Sequence, residues 1–402
     1  DPPQDHREQM REALRAAGCD AEAALPILCA WLSLPLGDCE PSRISAVMQR
    51  ALLLQSTAQW LLHMSEAQPL LLIVEDVHWA DPTSIELLEQ LVARLPLRRV
   101  LLVLTGRPQW QPPEGLQADC VDVRRLEDAQ ATELARQTLA PRRLGTAVIR
   151  HVVDRTDGVP LFIQEMARML LDAHLVEQDG VWDFRHAGLP AAIPLTLHDS
   201  LVSRFDRIGP LKPLLQLAAT MGRHFDFDLL CACVDRPQGE VEQELAQLGQ
   251  AGLVIADERA GAGAFMFRHA LIRDTAYECM LASQRRLLHR DVALALMQHQ
   301  PQRVAAEPAG VAQHWADAGD HAQAVALAVR QLRITQLRSL NDETIAYARH
   351  IDDWLHQLQG VAQREARLDV NSYVTQALMN KHGWAHGQVV ERLVLSPQLL
   401  AG

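Results

Sequence analysis

The chain has 402 residues, 48% of them hydrophobic and 22% charged, with a formal net charge of −12. A single core rarely serves more than roughly 250–300 residues, so two to four domains are expected. The acidic balance argues against a general nucleic-acid or membrane-surface binder, and no apolar run reaches the ~18 residues of a membrane span.

Residues 1–67 read as helical, with Ser42 placed to cap a helix continued by Ile44, Val47, Met48, Ala51, Leu52 and Gln55. Leu70–Val74 follows as an unbroken apolar run, the pattern of a strand buried on both faces in a parallel sheet. Asp81-Pro82 opens a helix with Asp81 as N-cap, and Ile85, Leu88, Leu91, Val92 and Leu95 give its buried face. Arg99–Thr105 (RVLLVLT) is a second apolar strand. Strand, helix, strand over about 35 residues is a βαβ unit with parallel strands. After a Pro-rich loop, Val121–Val123 is a weaker third strand and Leu126–Leu139 a helix.

Residues 143–175 form two helices broken at Asp157-Gly158-Val159-Pro160, and Val176–Phe184 reads as a hairpin turning at Asp179-Gly180. Helices are expected at Leu195–Ile208, Leu211–Met221, Phe227–Val234 and Glu240–Ala251. Leu253–Asp257 and Ala264–Phe267 then form a strand pair around Gly261 and Gly263. From His269 the chain is helical, with breaks near Pro301, Gly319, Asn341 and Gly360. Residues 312–329, AQHWADAGDHAQAVALAV, have the helix–turn–helix form of a tetratricopeptide-like repeat.

The seven cysteines lack metal-ligand spacing; Cys231 and Cys233 are too close for a CxxC pair, and Cys19, Cys29 and Cys39 lie in a Leu-rich helical region. This points to reduced thiols and a cytoplasmic setting. The start DPPQDHREQM has no signal-peptide core and no initiator Met, so the chain reads as a piece of something longer.

Residues Pro69–Asp81, PLLLIVEDVHWAD, carry the most chemistry. Glu75 and Asp76 stand at the C-terminal end of a strand, where open α/β sheets bind ligands. That is the form of a Walker B strand, whose acids hold Mg²⁺ and orient a water against a nucleotide phosphate. A core strand ending in a solvated acidic turn has the same local pattern.

The stretch PLLLIVEDVHWADPTSIELLEQLV resembles the ATPase domain of large bacterial signalling proteins, the STAND class of P-loop NTPases, relatives of the AAA fold. In that class it accompanies kinase, nucleotide-cyclase or LuxR-type DNA-binding domains. The resemblance runs on in order through LLVLTGRP (101–108), GVPLFIQEM (158–166), IPLTLHDSLVSRFDRIGP (193–210) and FRHALIRDTAYECML (267–281), and covers roughly residues 25–340. It implies an α/β then all-α fold. Residues 1–140 would be the C-terminal part of a P-loop NTPase domain, 141–192 a helical subdomain, 193–268 a winged helix and 269–402 a tetratricopeptide-like region. The family's Walker A loop, GxxxxGK[ST], is absent: the lysines are Lys212 and Lys381, neither in a Gly-rich loop. Without that loop the N–H cradle for phosphate is missing, so this polypeptide should bind ATP poorly and hydrolyse it slowly or not at all.

The resemblance assigns roles residue by residue. Glu75 would contact Mg²⁺ and Asp76 polarise the attacking water, although Glu-Asp reverses the commoner order. His78 would reach either the γ-phosphate or a neighbouring subunit, while Trp79 packs under the loop. Thr105 and Arg107 take the sensor position; otherwise Arg107 is a surface arginine before the Pro-rich loop. Gly158 and Pro160 match the GxP motif that contacts adenine and ribose, and equally suit a plain helix break. His269 would face the ADP phosphates, or else cap the wing helix from the core, with Arg268 and Arg273 as surface charges.

The whole then reads as part of an ATP/ADP-dependent signalling switch with Mg²⁺. Its helical C-terminus would meet protein partners, and ATP-dependent self-association is compatible with it. The alternative is a nucleotide-free interaction scaffold. DNA binding is disfavoured because the candidate recognition helix, Glu240–Ala251, is acidic.

Overall fold

The computed structural model describes residues 3–32, 34, 42, 44–96, 98–116, 118–173, 175–184, 197–257, 261 and 263–393. Leu195, Cys39 and the first residues of the 193–210 motif fall outside them. The molecule is mostly helical, 67%, with small sheets, consistent with an α/β then all-α order. No helix among the described residues is long and apolar enough to cross a membrane.

In chain order the elements begin α1 (Pro3–Ala16), α2 (Ala21–Trp31), α3 (Ala46–Ala67), β1 (Leu70–Val74), α4 (Pro82–Val92) and β2 (Val100–Leu104). There follow α5 (Asp128–Thr138), β3 (Arg143–Leu144), α6 (Thr146–Thr156), α7 (Pro160–Ala173), β4 (Leu175–Gln178) and β5 (Val181–Phe184). Next come α8 (Leu197–Arg207), α9 (Lys212–Met221), β6 (His224–Asp226), α10 (Phe227–Ala232), α11 (Gln238–Gln250), β7 (Val254–Ala256) and β8 (Ala264–Phe267). The remainder is helical: α12 (Ala270–Glu278), α13 (Ala282–His299), α14 (Pro301–Ala306), α15 (Pro308–Ala318), α16 (His321–Leu337), α17 (Asn341–His350), α18 (Asp352–Gln357) and α19 (Gly360–His382). Two units emerge, residues 1–119 with 302–402, and residues 120–301.

In the first unit β1 and β2 pair in parallel, Leu70 opposite Val100 through Val74 opposite Leu104. Leu72, Val74, Val100, Leu102 and Leu104 turn inward onto Ala58 and Leu62 of α3 and Leu88 and Leu91 of α4. Both helices lie on this one face. The expectation of a strand buried on both sides is therefore corrected: Leu71, Ile73, Leu101 and Val103 on the opposite face are exposed. The predicted third strand is also absent. Val121 and Val123 are 82% and 91% exposed in irregular chain; three residues with a charge in the middle bury too little to hold a ladder.

Helix α3 starts three residues later than Ser42 implied. Ser45 is the N-cap, its Oγ accepting the Met48 N–H at 3.4 Å. The C-terminal helices break where expected. Gly319 ends α15 in the left-handed region (φ 87°), Asp320 caps α16 by accepting the Gln323 N–H, and α17 and α19 begin at Asn341 and Gly360.

In the second unit α5, α6 and α7 enclose a core of Ala131, Ala135, Val148, Val152, Ile163, Met166 and Leu170. Strands β4 and β5 form the predicted hairpin, with Asp179 and Gly180 both at positive φ. Beyond it, α8 to α11 accompany a sheet in the order β6-β8-β7. The sequence indicated only two of its strands; β6 is three residues long and follows Gly222, too short for a period-two signal.

Candidate functional site

The acid loop is built by two strand ends held together. Thr105 follows β2, and its backbone N–H donates to Val74 O at 3.0 Å while its carbonyl accepts the Val77 N–H at 2.8 Å. Its hydroxyl accepts the Asp76 N–H at 3.0 Å. Asp76 takes the left-handed conformation, φ 54° and ψ 42°, which turns the chain sharply out of β1. Glu75 and Asp76 are both exposed at the C-terminal end of the parallel pair.

The residues after the acids exchange the places expected of them. Trp79 does not pack under the loop; it is 76% exposed. Val77 fills that position instead, 1% exposed in the core beneath β1 and β2. His78 is the inward ring, with Nδ1 4.0 Å from Asp76 Oδ1 and both nitrogens buried without a hydrogen-bond partner among the described residues. Asp81 caps α4 as predicted, accepting from Ser84 N at 2.9 Å and Ser84 Oγ at 2.6 Å. Arg107 is exposed beyond β2, near the same strand ends as the acids.

Two exposed carboxylates beside a hydroxyl suit a hard cation. Mg²⁺ commonly takes one or two carboxylates and completes its shell with water and phosphate oxygens. Among the described residues no cluster of three or more His, Cys, Asp or Glu could hold a metal ion by itself. Both lysines are engaged elsewhere: Lys212 pairs with Asp206 at 2.6 Å and Lys381 with Asp342 at 2.5 Å.

Gly158, Pro160 and His269 belong to the second unit. Gly158 is buried at φ 67°, its carbonyl accepting the Leu126 N–H at 2.8 Å. A Cβ on Gly158 would stand 2.2 Å from Leu126 O, so the close approach of two backbones requires glycine. Pro160 is the exposed first residue of α7.

Helix α7 also carries a residue that the sequence reading missed. Glu165 is a carboxylate only 3% exposed. It accepts from Arg204 Nη1 of α8 and from Arg168 Nη1 at 3.3 Å, and Arg204 Nη2 reaches on to Ala251 O beyond α11. His269 lies within the field of this group. Burial pushes its imidazole below the usual range; Glu165 opposes this, while Arg268, Arg168 and Arg223 add to it. His269 is the N-cap residue of α12, in extended backbone and without a hydrogen bond from its side chain to the helix.

Arg268 is exposed, as expected of a surface charge, whereas Arg273 is partly buried. Its Nε donates to Ala219 O at 2.9 Å and its guanidinium lies 5.0 Å from the Tyr277 ring. The described cysteines form no disulfide with one another, and burial pushes the thiols of Cys19, Cys231 and Cys279 up and that of Cys233 to about 12. These four shifts run opposite to the lowered pKa of an activated nucleophile.

Residues 127–181, spanning α5 to the start of β5, match a family model described as Domain of unknown function (DUF8739). An uncharacterized protein of Rhizobium meliloti (strain 1021) is 29% identical over 310 residues, covering 74% of this chain and 29% of that protein. The chain thus spans less than a third of the length of this curated relative.

Proposed function

We propose that the chain is part of a nucleotide-dependent signalling switch of the STAND class, in which Glu75 and Asp76 are the Walker B acids. The observation that carries this reading is the joint at the two strand ends, where Thr105 of the neighbouring parallel strand holds the backbone of Asp76. Such a joint keeps Glu75, Asp76 and Thr105 together at the C-terminal edge of the parallel pair, the position at which α/β sheets bind phosphates.

In this reading Glu75 holds Mg²⁺ directly or through water, and Asp76 orients a water. Thr105 and Arg107 report on the terminal phosphate. Bound Mg²⁺ would supply charge neutralisation for the phosphates. Gly158 and Pro160 would contribute to the base and ribose side and His269 to the resting, ADP-bound form. With its pKa depressed, His269 enters as a neutral imidazole, so positive charge there rests on the arginines. Helices α8 to α11 with the β6-β8-β7 sheet are read as a winged helix and α14–α19 as tetratricopeptide-like repeats that meet protein partners.

A second reading is a nucleotide-free interaction scaffold. It is favoured by the engagement of both lysines in ion pairs remote from any Gly-rich loop. Titration of labelled ATP and ADP with Mg²⁺ separates the two. The switch reading expects weak binding by these 402 residues, and tight binding by a longer chain that includes a Walker A loop. If the longer chain binds neither nucleotide, the scaffold reading stands.

A further inference from the structure

Helix α4 leads directly out of the acid loop, and its N-terminus is capped from a distant part of the chain. Pro82 has no N–H to satisfy, and Asp81 serves Ser84 N locally and accepts the Ile85 N–H with its carbonyl. The remaining donor, Thr83 N–H, is taken by Glu343 Oε1 of α17 at 3.0 Å. The Thr83 hydroxyl donates to the same oxygen and accepts from Arg50 Nη2 at 3.2 Å. Arg50 in turn pairs with Glu86, one turn along α4, at 2.5 Å.

Thr83 is 2% exposed, so these bonds form in a medium where they are strong and where losing them is costly. Glu343 Oε2 has no hydrogen-bond partner among the described residues. The carboxylate is therefore only half satisfied, and withdrawal to water would return both oxygens to full solvation. Helix α17 is itself held by α19, through Asn380 to Asn341 at 3.3 Å and Lys381 to Asp342 at 2.5 Å. A displacement of the terminal helices can thus reach the start of α4 through Glu343.

We infer that Glu343 is the positioning residue through which the C-terminal helical array controls the acid loop: bound to Thr83 it fixes the start of α4, and released it frees Asp76–Thr83 to move. The consequence for nucleotide handling rests on the switch reading above. The coupling does not, because it is a relation between α17 and α4 alone.

The test is amide hydrogen exchange on the full 402-residue chain without nucleotide, comparing wild type with Glu343→Ala, Glu343→Gln and Thr83→Val. Glu343→Ala is expected to speed exchange in peptides covering residues 76–86 by roughly tenfold, with β2 and α16 unchanged. Glu343→Gln, which keeps an acceptor oxygen at the same reach, restores most of the protection. Thr83→Val, which keeps the N–H bond, gives a smaller increase, and it serves if Glu343→Ala does not fold. Unchanged exchange at 76–86 in Glu343→Ala and Thr83→Val, or an equal rise throughout the unit, overturns the inference. Failure of a separate nucleotide titration would count against the switch reading and leave the coupling result standing.

Discussion

The backbone N–H of Asp76 donates to the hydroxyl of Thr105 at 3.0 Å, and this bond holds a non-glycine residue in the left-handed region at φ 54°. Such a conformation costs an L-residue energy that a neighbour must offset. Asp76→Gly should therefore stabilise the folded chain or leave it unchanged, by up to about 0.5–1 kcal/mol, while removing a proposed metal-site acid. Urea denaturation measures the first effect. A clear loss of stability would mean that the Asp76 carboxylate supports the fold.

Gly158 is expected to tolerate no side chain. Its φ of 67° and the 2.2 Å separation of a built Cβ from Leu126 O act together. Gly158→Ala should cost at least about 2–4 kcal/mol, because neither colliding atom belongs to a flexible side chain. A shift in the denaturation midpoint of the second unit would register it, and wild-type stability would refute the close approach.

Glu165 and Arg204 should behave as a coupled pair. Removing the carboxylate alone leaves Arg204 and Arg168 without their shared partner in a site where Glu165 is 3% exposed. Glu165→Ala and Arg204→Ala are each expected to destabilise by about 3–5 kcal/mol. The double variant should cost clearly less than the sum. Simple additivity in a double-mutant cycle would show that the pair does not act as a unit.

His289 makes the second unit sensitive to acid. It is 4% exposed, its Nε2 lies 2.7 Å from the Tyr277 hydroxyl, and burial, with Arg273 and Arg285 adding to it, lowers its pKa to about 4. The unfolded chain takes up the proton near 6.5, the folded chain only near 4. Stability is then full above pH 6.5 and falls as pH drops toward 4, by up to about 3 kcal/mol from this group. His289→Gln should flatten that part of the stability–pH curve. An unchanged slope between pH 6.5 and 4 would contradict the assignment.

Local pattern conveyed the elements well and their surroundings poorly. The five-residue apolar runs marked both strands of the parallel pair, Asp179-Gly180 marked the β4–β5 hairpin, and Gly319 and Gly360 marked helix boundaries. Apolarity records what a strand prefers and not what covers it, so the exposure of Leu71, Ile73, Leu101 and Val103 was not legible. Trp79 was expected to bury its ring, yet the sharp turn at Asp76 sends Val77 and His78 inward and Trp79 out. Glu165 has the pattern of an ordinary acid on an amphipathic helix; Arg204, 39 residues on, joins Arg168 in making its burial tolerable. The Thr83–Glu343 contact spans 260 residues and leaves no local signal at either end.

Glu75 and Asp76 are proposed to serve a bound nucleotide. The most direct test is Mg²⁺–ATP binding and turnover by a longer chain that includes a Walker A loop, with and without Glu75→Gln. The account predicts that the unsubstituted chain binds and slowly hydrolyses ATP, and that Glu75→Gln keeps ATP bound while turnover stops. No binding by the longer chain, or normal turnover by Glu75→Gln, would contradict it.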